Sequence, residues 1–291
     1  GPNDLREAIG EVEVPKLTGT YADVLQAVGL ADILKEIAGD KASIKIGDAG
    51  GHYRISVEPS IKLPVRKLDI TVGYPYLLHE KAKKPPAGIS PEPFPYVKEK
   101  EKADEWIEYQ NALRQSRKGQ SQARRKTGEE ISGAQPPRPN DRLPLMKAIH
   151  SLQATNSWNG LAEAIQKSLA RSPEKLRRAI LSFASGKTAE EFIPVLEKSR
   201  VSIVQAFNPT QGKGINRSKP DSAALSGLKG PWLHWFSEWC KYRGVRFVLT
   251  ADFFGDEGKD IKFMAITPGT QIELSALKKL GDEMVSRRWV E

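Results

Sequence analysis

Val201-Ser-Ile-Val-Gln-Ala-Phe-Asn-Pro-Thr-Gln-Gly-Lys-Gly-Ile-Asn-Arg-Ser-Lys-Pro220 sets how the rest of the chain is read. Its β-branched opening, Val201 to Val204, predicts a strand running to Ala206. The aromatic-rich run that follows, Leu225 to Arg243, predicts a helix, because Leu225, Leu228, Trp232, Trp235 and Trp239 recur three or four residues apart. Between the two lies a loop with Gly212, Gly214, Lys213, Arg217, Lys219, Asn208, Gln211 and Asn216. The glycines permit positive φ and a close backbone approach. The cations attract phosphate without regard to sequence. Asn and Gln match base edges, adenine most cleanly. The same residues also suit a solvated surface loop, and taken alone they leave both readings open. Trp232, Trp235 and Trp239 form one face, which is either core or a docking surface for a protein partner.

Composition favours a polyanionic partner. The 291 residues carry a net charge of +9, a balance that suits nucleic acid or an anionic membrane surface. No run of about 18 apolar residues exists to span a membrane. Gly1-Pro2 reads as the scar of a cleaved tag, and no signal peptide follows it. The single cysteine, Cys240, excludes an internal disulfide and fits a reducing cytoplasm. Its place among aromatic residues predicts a small buried hydrophobe.

Working outward, three segments emerge. Residues 3–74 predict an N-terminal α+β unit. Residues 3–14 are acidic, and read as a mobile end or an edge strand. Tyr21, Val24, Leu25, Val28, Ile33, Leu34 and Ile37 predict an amphipathic helix, capped by Thr18 or Thr20, stopped by Gly39 and interrupted near Gly29. Ser43–Ile46 and Tyr53–Val57 alternate about a Gly-rich turn and predict a hairpin; Leu68–Val72 is a further strand candidate. Residues 75–142 form a Pro-rich and basic insertion, with a charged helix at 97–117. In it Arg124, Arg125 and Lys126 belong either to a flexible stretch or to an arm lying along a nucleic-acid backbone. Residues 143–291 predict a helical bundle with a second hairpin, Val245–Thr250 against Ile261–Ile266, and a last helix over 272–289. The fold class expected is α+β: a mixed helical domain with short antiparallel sheets.

Catalytic constellations are weak. His52, His79, His150 and His234 are far apart in sequence and lack a metal-ligand spacing. Asp252, Asp256 and Glu257 flank the second hairpin turn, where a divalent metal is conceivable but Asp is common anyway. Gly212-Lys213-Gly214 lacks the spacing of a phosphate loop. Neither an enzyme nor a cofactor is expected.

Phe207-Asn-Pro-Thr-Gln-Gly-Lys-Gly-Ile-Asn-Arg-Ser-Lys-Pro220, followed by Leu228-Lys-Gly-Pro-Trp232, resembles the large subunits of type I CRISPR Cascade surveillance complexes. Met146-Lys-Ala-Ile-His-Ser-Leu-Gln153 is similar to a helix preceding that region, and Thr20-Tyr-Ala-Asp-Val-Leu-Gln-Ala-Val-Gly29 to their opening helix. The resemblance implies a non-catalytic subunit in antiviral defence. It would contact the crRNA 5′ end, recognise the PAM in target double-stranded DNA, sit among other Cascade backbone subunits and support a recruited helicase–nuclease. Asn208, Gln211, Lys213, Asn216, Arg217 and Lys219 would be the contacts, with Arg124, Arg125 and Lys126 as backbone clamps. The alternative is a non-catalytic scaffold that docks a protein partner through Trp232, Trp235 and Trp239.

Overall fold

The computed structural model describes residues 8–63, 70–80, 84–89, 92–119, 134–152, 155–171, 173–184, 204–209, 235–255 and 258–286. The fold is α+β. Its main sheet orders four antiparallel strands as β1 (Ile9–Pro15), β3 (His52–Ile61), β2 (Ser43–Asp48) and β8 (Ile272–Glu273). From Ile9 onward the acidic N-terminal stretch is thus an edge strand. Period-two alternation buries Val12, Val14, Ile44, Ile46, Ile55 and Val57 on one face. On the other face Glu13 stands opposite Arg54, and Arg54 also reaches Glu11. Strand β8 comes from the far end of the chain, and Ser43 donates to Glu273 at 2.6 Å.

Helix α1 (Tyr21–Ala38) covers this sheet. Thr20 caps it, accepting from the Ala22 N–H at 3.2 Å. Asp23 reaches back to the N–H groups of Thr18 and Gly19, which satisfies further donors at the helix start. Gly39, at φ 85°, ends the helix as expected. Gly29 does not interrupt it. A Cβ there would stand 1.6 Å from the Cys240 carbonyl oxygen, on the helix that crosses α1. Helices α2 (Tyr96–Gly119), α3 (Leu143–Ser151), α4 (Thr155–Arg171) and α5 (Pro173–Ala184) follow the expected order. One apolar core runs through residues of all three sequence segments, from Ile9 to Leu277.

The crossing helix is α6 (Trp235–Val248), and every residue of it except Arg246 is buried. Two expectations fail here. Gly244 does not stop the helix, and Val245–Val248 are helical rather than extended; the strand β6 begins at Leu249 and pairs through Phe254 with β7 (Asp260–Ala265). The reason is packing: a Cβ on Gly244 would lie 2.0 Å from the Leu25 carbonyl oxygen. Gly29 and Gly244 are therefore the two sides of one close crossing. The expected strand over 201–206 is also absent where it can be followed, because Gln205–Phe207 form a 3₁₀ turn. Residues 70–73 are not strand, and β8 precedes the last helix, α7 (Leu274–Ser286). Thr188–Leu196 and the proposed start of the aromatic helix at Leu225 fall outside the described residues.

The chain between Val72 and Leu78 runs irregularly over this core, apart from the short parallel pair β4 (Leu77–Leu78) and β5 (Phe94–Pro95). Buried backbone groups need partners, and here side chains supply several. Trp239 Nε1 donates to Val72 O at 2.6 Å, Tyr242 to Tyr74 O at 2.5 Å and Trp158 Nε1 to Pro75 O at 2.9 Å. Asn159 pairs with both the N–H and the C=O of Leu77. The Pro-rich segment is thus fixed at its start by helices α4 and α6. No helix of the described residues is long and apolar enough to cross a membrane.

Candidate nucleic-acid interface and its buried footing

The 3₁₀ turn Gln205–Phe207 and the first turn of α6 are tied together by a buried polar group. Asn208 Nδ2 donates to Val204 O and to Glu238 Oε2, each at 3.0 Å. Lys241 Nζ donates to Asn208 Oδ1 and to Glu238 Oε1, each at 2.8 Å. All three side chains are enclosed: Asn208 is 6% exposed, Glu238 0% and Lys241 4%. Both amide hydrogens of Asn208 are therefore engaged and its oxygen accepts from Lys241, and burial keeps the group from reaching a base edge. The expectation that Asn208 contacts nucleic acid is corrected: it is an interior clamp. A charge pair of this kind persists inside a protein because each partner is both neutralised and hydrogen-bonded. Tyr21 adds a further tie from α1, donating to Ala206 O at 2.6 Å.

This clamp gives residues 210–234 a defined footing. Asn208 precedes that segment by two positions, and Trp235 follows it directly. Asn208 is bonded to Glu238, one turn beyond Trp235, so the two roots are held side by side. Gln211, Lys213, Asn216, Arg217, Lys219 and Trp232 lie outside the described residues, as do Arg124, Arg125 and Lys126. Trp235 and Trp239 are described, and neither offers a docking surface. They are 3% and 0% exposed, with their rings stacked at 6.1 Å. Trp235 also meets Phe236 edge-on, and Phe236 in turn packs on Phe183 of α5. The described part of the apolar stripe, Trp235 and Trp239, is core.

A second buried charge group lies on the far half of α6. Arg243 donates to Asp32 Oδ2 at 2.8 Å, to Glu36 Oε2 at 2.5 Å and to Thr71 O at 2.8 Å. Lys278 of α7 completes it by donating to Asp32 Oδ1 at 2.6 Å. Burial acts to raise the Asp32 carboxyl, but the Arg243 and Lys278 cations outweigh it and hold Asp32 below the ordinary carboxylate range. The Arg243 guanidinium is buried too; Asp32 and Glu36 more than offset that and raise it. The sequence carried a faint sign of this group, since Asp32 and Glu36 share a face of an otherwise apolar helix four residues apart. Nothing local marks Arg243 or Lys278 as their partners.

Two histidines that sequence spacing kept apart also meet. The rings of His79 and His150 lie 5.6 Å from each other, and Tyr96 packs on His150 at 4.6 Å. His150 Nδ1 lies 3.1 Å from Thr155 Oγ1. Burial, then the neighbouring His79, lower the His150 imidazole from its usual value. Asp252 lies on β6 opposite Lys262, whereas Asp256 and Glu257 fall outside the described residues. Comparison with protein-family models, with curated proteins and with solved structures gives no match.

Proposed function

We propose that the chain is a nucleic-acid-binding, non-catalytic subunit of a CRISPR Cascade effector complex in antiviral defence. In this reading it recognises the PAM in target duplex DNA and contacts the crRNA 5′ end. It sits among the other Cascade backbone subunits and supports a recruited helicase–nuclease. Guide pairing would then carry the long sequence specificity, and the protein would read only a short duplex motif and the phosphates around it. The observation that supports the reading best is the footing of the segment 210–234. Its roots are pinned by the Asn208–Glu238–Lys241 clamp, and reading groups need a rigid mount. That segment carries Gln211, Lys213, Asn216, Arg217 and Lys219, and the whole chain is cationic at +9.

The test replaces Lys213, Asn216 and Arg217 together with Ala and measures binding to duplexes with and without the motif, across a salt series. Three lost contacts at about 1 kcal/mol each correspond to a roughly hundredfold loss for the motif-bearing duplex. The two lost cations should flatten the salt slope by about 2. Unchanged affinity together with unchanged motif preference would refute the proposal. Asn208→Ala serves as the contrast: it should lower the unfolding midpoint, whereas the triple variant should not.

A further inference from the structure

Beyond the clamp, α6 borders an open cleft of about 460 Å³ between α1, α6 and α7. Asp32, Glu36, Arg243 and Lys278 on its wall are already matched to one another. Three donors are not matched. The Tyr74 hydroxyl is buried, at 2% residue exposure, and has no hydrogen-bond partner among the described residues. Arg142 Nη1 is likewise enclosed and unpartnered. Arg246, the one exposed residue of α6, stacks over Phe247 at 5.5 Å and makes no ion pair with another described residue. The two enclosed donors, on Tyr74 and Arg142, are of a kind rarely left without acceptors, at a cost of about 1–3 kcal/mol each.

Asp282 ties these donors to one place. It lines the cleft together with Tyr74 and Arg246. Its carboxylate accepts from Arg142 Nη2 at 2.5 Å. Arg142 itself lines the adjoining hollow, with Arg138 and Val285, and Asp282 is the residue the two hollows share. The Asp282 side chain is 70% exposed, so it can turn out to solvent at little cost. As it stands it satisfies only one of the available donors. A planar carboxylate suits two parallel donors, whereas phosphate presents oxygens in several directions and accepts from guanidinium groups strongly.

We propose that this cleft is a phosphate-binding site, in which Arg246 and the Tyr74 hydroxyl hold the oxyanion, Asp282 occupies its place when it is absent, and Arg142 donates from the adjoining hollow once Asp282 turns away. A phosphomonoester and the diester of a nucleic-acid backbone share this chemistry. The site does not rest on the reading of residues 210–234. The test follows thermal unfolding of the whole chain with inorganic phosphate, against chloride at equal ionic strength, and then adds a short oligonucleotide as competitor. Phosphate should raise the unfolding midpoint in a saturable way. Arg246→Gln and Tyr74→Phe should each weaken phosphate binding about tenfold, the loss of one charge-assisted hydrogen bond. Tyr74→Phe removes a hydroxyl without a partner, so its fold is retained. Asp282→Asn should bind phosphate more tightly than the parent. Competition by the oligonucleotide identifies a backbone diester as the occupant, and its absence identifies a free phosphomonoester. No stabilisation beyond that of chloride, or equal binding by the parent, Arg246→Gln and Tyr74→Phe, would overturn the proposal. The Lys213, Asn216 and Arg217 triple variant should keep phosphate binding, so failure of the loop reading and of this one are separable.

Discussion

Gly244→Ala should destabilise the protein, although the same change stabilises most helices. At an exposed helix interior it gains about 1 kcal/mol. Here the new Cβ would stand 2.0 Å from the Leu25 carbonyl oxygen and 2.8 Å from its carbon. Ordinary contact begins near 3.4 Å, so α1 and α6 must separate by about 1.4 Å at the crossing. The obstructing atoms are backbone, so no side-chain rotation relieves the clash. Overpacking of a core costs about 1–3 kcal/mol, and a backbone obstruction belongs at or above the upper end. After the helix-propensity gain, the net loss is about 2 kcal/mol, a large share of a typical 5–15 kcal/mol. Urea unfolding followed by circular dichroism reads the free-energy loss directly, and a thermal scan should show a midpoint lower by about 5 °C. Gly29→Ala should behave alike, since its Cβ meets Cys240 O. The double variant should lose less than the sum of the two, because one separation relieves both clashes. A Gly244→Ala midpoint equal to or above that of the parent would refute the close-crossing account.

Two further outcomes follow from the buried groups. Asp32→Asn should cost about 3 kcal/mol at neutral pH, because it strips a buried pair of one charge. Asp32 is depressed in the fold, so its contribution is complete above the unfolded carboxylate value and is lost as pH falls through the folded one; stability curves of parent and variant should converge in acid, and a constant gap down to strongly acidic pH would contradict the assignment. Cys240 is fully enclosed, and burial pushes its thiol far up. It should therefore resist a thiol-reactive dye in the folded protein and react at once on unfolding, whereas rapid native labelling would place it elsewhere.

Local periodicity made most of the helices legible. Thr20 and Gly39 bound α1 as capping chemistry dictates, and the Gly-rich turn at 47–51 set the β2–β3 hairpin. The α+β class followed from these elements. What escaped was every feature decided across the chain. A glycine in a helical pattern reads as a break, because its local effect is loss of propensity. Gly29 and Gly244 instead meet a facing backbone, and nothing within a few residues of either reports it. The Trp stripe had the spacing of a face, but spacing alone does not say whether a face is covered; at Trp235 and Trp239 it is buried. Asn208 looked like a reader of bases because its partners, Glu238 and Lys241, lie 30 and 33 residues away.

Helix α6 joins these observations into one mechanical argument. Buried ion pairs add little net stability compared with apolar packing, but they penalise any other register strongly, since a shift strands a charge in the interior. The glycine crossing alone would let α6 slide along the α1 groove, because it fixes separation and not position. Arg243 removes that freedom by reaching Asp32, Glu36 and the Thr71 carbonyl at once. Glu238 and Lys241 then transmit the fixed register to Asn208 and the turn that carries it. Glu238 and Arg246 are eight residues apart, about 12 Å along a helix. The footing of the segment 210–234 and the cleft at Arg246 are therefore held at a set spacing by one rigid element. If both bind phosphate, they would engage one strand in a fixed register, and Arg243→Met, with α6 freed to slip, would weaken the two together.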